Sequence, residues 1–145
     1  MTRRILSVIV MAVAVAIPLA AQTFSFGTGD AGLDLSLNSI NVQAQANLGP
    51  FTADLSVSFG VPQPQVQAWI TVEKLQPAEV YFVLELSKLA ARPPASVIET
   101  YRANKGKGWG AVAKALGIKP GSPEFKALKA KVADKDKKIK AAKGK

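Results

Sequence analysis

Leu33-Asp-Leu-Ser-Leu-Asn-Ser-Ile-Asn-Val-Gln-Ala-Gln-Ala-Asn-Leu-Gly-Pro-Phe-Thr-Ala-Asp-Leu-Ser-Val-Ser-Phe59 alternates apolar and polar residues almost without a break. Leu33, Leu35 and Leu37 fall on one face of an extended chain. After Asn38-Ser39 the phase flips to Ile40, Val42, Ala44 and Ala46, and Phe51, Ala53, Leu55, Val57 and Phe59 carry the pattern on. A period of two marks a strand with one buried face, because successive side chains leave a pleated backbone on opposite sides. Asn47-Leu-Gly-Pro50 suits the connection between two strands, since Asn and Gly tolerate positive φ and Pro limits continuation. The flip at Asn38-Ser39 reads as a tight turn or a bulge. Residues 22–60 are therefore expected to form a β-hairpin or three-stranded meander, with Phe24–Asp30 mostly irregular. Two or three strands are too few for a membrane barrel, which needs about eight, so the apolar face should lie on helices.

Beyond Pro62 the period lengthens. Pro77-Ala-Glu79 opens a segment with Val80, Val83, Leu84, Leu86 and Leu89, apolar over most of its circumference and hence a central buried helix ended by Arg92-Pro93-Pro94. A second helix starts at Pro94, with Val97, Ile98 and Tyr101 on one stripe, and leaves through Gly106 and Gly108. A third places Trp109, Val112, Ala113 and Leu116 at helical spacing. The fourth begins with Ser122 as N-cap and Pro123 at the first helical position, and turns Phe125, Leu128 and Val132 inward. Pro64–Ile70 suits another short helix, although Ala68, Ile70 and Val72 also alternate, so 64–74 stays open between helix and strand. The expected fold is α+β: the hairpin or meander, then a bundle of four to five short helices over 61–132, in one domain. Its core should hold Leu35, Val42, Leu55, Val57, Trp69, Val80, Val83, Leu84, Ile98, Tyr101, Trp109, Val112, Leu116, Phe125 and Leu128.

The whole chain has 145 residues, 48% of them apolar, no Cys, no His and a formal charge of +9. That length fits one modest domain, too apolar for a disordered chain and too interrupted for a multi-span membrane protein. Lack of imidazole and thiol removes a His base, a Cys nucleophile and the ordinary zinc, haem and iron-sulfur ligand sets. Arg3 and Arg4 precede the apolar run Ile5–Leu19, and Ala20-Ala21-Gln22 come after it, the layout of a signal peptide over 1–21. An exported protein, periplasmic or extracellular, is expected, with a retained anchor as the alternative because Leu19 stands where a small residue is preferred. With no Cys there is neither a lipid anchor nor a disulfide, so packing must hold the domain. Charge is divided: 22–100 carries 3 Lys/Arg against 7 Asp/Glu, and 101–145 carries 14 against 3. From 133 onward only Ile139 is a large apolar side chain, and a basic tail, disordered or a frayed helix end, is expected over 133–145.

The stretch Tyr101–Phe125 holds the conspicuous motifs. Gly106, Gly108 and Gly110 between Lys105, Lys107 and Trp109 resemble a phosphate cradle, but lack P-loop spacing and come after a helix instead of a strand. The plainer expectation is a tight helix corner with Trp109 plugging the core. Val112–Gly117 and the next helix also resemble a DNA-reading helix-turn-helix, with a connection too long for the usual corner. Gly106-Lys-Gly-Trp-Gly110, Ala113-Lys-x-Leu-Gly-Ile-Lys-Pro-Gly-Ser122 and Glu124-Phe-x-x-Leu-Lys129 together resemble a C-terminal pattern of small exported bacterial proteins. The likeness covers about a fifth of the chain, Tyr101–Lys129, and more loosely extends back to Pro77. It implies no activity, and where such relatives carry His in place of Lys126, no proton-transfer or metal role would pass to this chain.

Carboxylate catalysis needs two acids converging in a cleft. Glu79 and Glu85 lie on different faces of one helix and Glu73, Glu99 and Glu124 at segment ends, so no catalytic residue, metal or cofactor is expected. The expectation is a non-enzymatic envelope or interaction protein that touches an anionic envelope component or membrane surface. Its candidate anion-binding residues are Lys105, Lys107, Lys114, Lys119, Lys135, Lys137, Lys138 and Lys140. A helix-turn-helix-like nucleic-acid-binding module is the alternative and ranks below it, since an exported protein does not meet the chromosome.

Overall fold

Asp30 starts the first helix. Its side chain accepts the Leu33 amide at 2.9 Å, an N-cap, and Asp34 in the first turn accepts the Thr28 hydroxyl at 2.6 Å and amide at 3.0 Å. In a computed structural model describing residues 24–145, the stretch so capped forms α1 (Ala31–Ala46), succeeded by α2 (Leu48–Phe59), α3 (Gln63–Thr71), α4 (Pro77–Ala90), α5 (Pro94–Ala103), α6 (Trp109–Ala115) and α7 (Pro123–Lys143). The α+β expectation is corrected: among the described residues there is no strand, and the hairpin or meander is two helices. The expected signal peptide, 1–21, lies outside the described residues.

The alternation of 33–59 has a helical explanation. At about 100° per residue, positions two apart lie on nearly opposite sides of a helix. Leu33, Leu37, Ile40, Asn41 and Ala44 therefore form one buried stripe, while Leu35 and Val42 are 72% and 63% exposed on the other side. On α2, Phe51, Thr52 and Leu55 turn inward and Val57 is 86% exposed. The core places expected for Leu35, Val42 and Val57 are thus corrected. Asn38-Ser39 is neither turn nor bulge but lies within α1. Asn47 does make a sharp connection, joining two helices: its carbonyl accepts the Phe51 amide at 3.1 Å. In α1 only Ile40 and Val42 are β-branched, and Leu, Ala and Gln favour a helix.

The later elements obey their punctuation. Pro77, Pro94 and Pro123 each open a helix at a position whose missing amide proton costs nothing, and Ser122 accepts the Phe125 amide at 3.1 Å. Of residues 64–74, left open by the sequence between helix and strand, 64–71 lie in α3. α4 is central: every residue from Pro77 to Leu86 is buried, and it touches α1, α2, α3, α5 and α7. Leu55, Trp69, Val80, Val83, Leu84, Ile98, Trp109, Val112, Leu116, Phe125 and Leu128 are buried as expected, and Tyr101 is half-buried.

The Gly-rich motif is a packing device. Phe26 and Gly27 offer their carbonyls to the amides of Trp109 (2.8 Å) and Gly110 (3.0 Å), so the segment before α1 docks on the start of α6. A Cβ at Gly108 would lie 2.5 Å from the Gly27 oxygen and one at Gly110 2.6 Å from that of Thr28, distances no side chain can occupy. Trp109 fills the core, stacked on Tyr101 (centroids 4.6 Å apart) and edge-on to Phe82 (5.4 Å). Its indole donates to Glu79 at 3.0 Å, and the other Glu79 oxygen accepts the Gln76 amide at 2.7 Å, which satisfies a buried carboxylate from two sides.

The stretch expected as a basic tail, 133–145, is helical over most of its length. α7 runs unbroken through it to Lys143 and packs along α1. Asp136 is buried there, accepting the Ser39 hydroxyl at 2.6 Å and the Lys140 ammonium at 2.7 Å, and Ile139 packs against the core edge. Polar anchoring therefore substitutes for the apolar mass that this stretch lacks.

Candidate functional site

Acidic and basic halves of the sequence fold onto each other. Asp30 pairs with Lys129 at 2.6 Å, Glu85 with Lys131 at 3.4 Å, Asp54 with Lys135 and Glu73 with Arg102. These pairs consume most of the carboxylates of 22–100. What remains is a cationic excess borne by the C-terminal third.

Where the end of α1, the start of α2 and the end of α7 meet, they leave a groove of about 520 Å³. Its apolar surface comes from Ala44, Pro50, Phe51, Ile139 and Ala142, and its charged rim from Lys135, Lys138 and Lys143 against Asp54 alone. The helices explain the mixture: Ala44 is the last inward residue of α1 and Phe51 the first of α2, while α7 brings Ile139 and Lys135 round on neighbouring faces. Lys135, held by Asp54, lies 5.7 Å from the ring centres of both Phe51 and Tyr81, so its charge is shared among a carboxylate and two aromatic faces. Tyr81 donates to the Lys131 carbonyl at 3.2 Å, and burial first, then the Glu85 charge, pushes its phenol far above the ordinary range, keeping it a neutral donor. Lys138 pairs with Asp134 at 2.8 Å in the open; the hydrogen bond, and then the charge, of that carboxylate raises the pKa of its ammonium. Lys143 is exposed and makes no ion pair among the described residues.

The structure brings together only part of the expected lysine set. Lys135 and Lys138 stand on the groove rim, and Lys140 is one turn beyond Asp136, which it neutralises. Lys137 is exposed away from the groove. Lys105 and Lys107 lie on the α5–α6 corner, Lys114 on α6 and Lys119 in the connection to α7, all exposed and none lining the groove. Phe51, Ile139 and Lys143 were missed as site residues. A helical reading of 31–59 would have placed Phe51 beside the end of α1, and the spacing of Lys135, Ile139, Ala142 and Lys143 would have given one face had α7 been extended through them.

A second depression, of about 420 Å³, lies between α2 and α3, lined by Leu48, Thr52, Ile70 and neighbours, and bears no charged side chain. Measured as a helix-turn-helix, α6 is short, its first residue Trp109 is buried, and the connection to α7 runs from Leu116 to Ser122. Among the described residues no helix is long and apolar enough to cross a membrane. No protein-family model, curated protein or solved structure matches this chain, so the chemistry of the site is carried by its own residues.

Proposed function

We propose that this chain is a non-enzymatic interaction protein of the cell envelope, exported by its N-terminal segment, whose basic C-terminal third contacts anionic partners. One observation carries the reading. After the internal ion pairs are made, Lys105, Lys107, Lys114, Lys119, Lys126, Lys137 and Lys143 are exposed and without an ion pair among the described residues, and Glu124 is the one acid of 101–145 in the same state. Basic side chains near an anionic surface each contribute on the order of 1 kcal/mol, and the attraction is screened by salt.

The test is retention of the mature chain on vesicles containing anionic phospholipid. Retention should fall steeply between low and physiological salt, be absent on zwitterionic vesicles, and weaken when Lys105, Lys107 and Lys137 are changed together to Gln. Equal retention on both vesicle types, or indifference to salt, overturns the reading. Tighter, sequence-dependent retention on duplex DNA, together with recovery from the cell interior with Met1 in place, would put the nucleic-acid-binding module first instead.

A further inference from the structure

The groove between α1, α2 and α7 has two chemically distinct parts. Ala44, Phe51, Ile139 and Ala142 offer apolar contact, and Lys138 and Lys143 stand at its rim with ammonium groups that no buried partner restrains. Lys138 is engaged only by Asp134, in an exposed pair of the kind that contributes little in water and exchanges readily for another anion. The volume of about 520 Å³ lies within the range of small-molecule sites, which combine an apolar lining with a few polar groups that fix orientation.

We propose that this groove binds a single-chain amphiphilic anion, an alkyl carboxylate, with its hydrocarbon tail against Phe51, Ile139 and Ala142 and its carboxylate between Lys138 and Lys143. The inference rests on the reading that the basic C-terminal region is a contact surface for anions, and gives that surface a soluble ligand. Charge complementarity selects the head group: three lysines face one aspartate, which favours an anion over a neutral or cationic amphiphile. The lining offers no stacked aromatic pair for a base and only Gln43 and Asn47 as neutral hydrogen-bonding side chains, so a nucleotide or sugar would leave most of its polar groups unmatched.

Titration calorimetry of the mature chain with laurate, kept below its micellar concentration, tests this. One molecule should bind per chain, more tightly than dodecyl maltoside or dodecyltrimethylammonium. Ala142→Trp, at an exposed position that lines the groove, should weaken laurate binding about tenfold or more while leaving the circular dichroism and the retention on anionic vesicles intact. Lys138→Gln with Lys143→Gln should remove the preference of laurate over the neutral detergent. Laurate binding no better than the maltoside, or binding untouched by Ala142→Trp, overturns the inference. If vesicles are retained and laurate is not bound, the groove proposal fails alone; if laurate is bound and vesicles are not retained, the envelope-contact reading fails and the groove stands as a soluble-ligand site.

Discussion

The two halves of α7 lie along one face of the protein and are held there by different forces. Pro123–Val132 sends Phe125, Leu128 and Val132 into the core and adds two ion pairs to distant segments, Lys129 to Asp30 and Lys131 to Glu85. Ala133–Lys143 has no large side chain fully buried; its anchors are Asp136 on Ser39, Ile139 at the core edge and Lys135 on Asp54. Its contact with α1 is imperfect as well, since Gln43 donates weakly to Asp136 at 3.5 Å while its carbonyl oxygen is buried without a donor. Apolar burial is insensitive to direction and strong per side chain, whereas polar anchoring is specific and easily exchanged. The half that must stay put is therefore fastened by packing, and the half that borders the groove is held by contacts that solvent or a ligand can replace.

This contrast can be broken most directly at Leu128. Leu128→Ala empties a fully buried site and should cost about 2–5 kcal/mol of global stability, read from the urea midpoint. A loss no greater than that of a surface variant would mean that the first half is not the structural anchor. Asp136→Ala should cost less, about 1–3 kcal/mol, by stranding the Ser39 hydroxyl and releasing Lys140. Its mark should be local: amide exchange in residues 137–143 accelerates before that of 125–132 changes, and a uniform acceleration would erase the distinction between the halves.

Acid tests the shorter of the two electrostatic ties of the first half, Lys129 to Asp30. The Lys129 hydrogen bond, and then the Leu33 amide, hold the Asp30 carboxyl below its ordinary 3.8. Its folded value is thus lower than its unfolded one, so the contribution is complete above 3.8 and is lost as pH falls from there through the folded value. In Asp30→Asn the urea midpoint should be lower at neutral pH and fall less steeply below about pH 4; an unchanged slope would assign the acid sensitivity to other carboxylates. The smallest effect is expected at Lys138. Its pair with Asp134 is open to solvent, and Lys138→Gln should leave the urea midpoint within experimental scatter while changing only anion binding.

The legibility of the sequence obeys the same physics. α4, α5, α6 and the start of α7 were readable because Pro77, Pro94 and Ser122-Pro123 punctuate them and their apolar residues repeat at helical spacing. α1 and α2 were not, because Leu35, Val42 and Val57 occupy outward positions and turn two faces of a helix into an apparent strand. The N-cap Asp30, with Asp34 in the first turn, was the counter-signal. The far half of α7 was hidden for another reason: a lysine-rich stretch with one isoleucine lacks the apolar mass that announces packing, and the tertiary partner of Asp136 is 97 residues away in sequence. Of the site, the cationic residues Lys135 and Lys138 were legible from charge, whereas the groove itself depended on where α1 ends and could not be drawn from an extended chain.

The union of α1 with α7 has a consequence for biogenesis. On the ribosome the inward stripe of α1 emerges first and the helix that covers it last, so for most of translation Leu33, Leu37 and Ile40 have no finished lid. A nascent polypeptide arrested before Pro123 would expose that greasy seam to chaperones or to its neighbours, and only completion of the final helix would withdraw it.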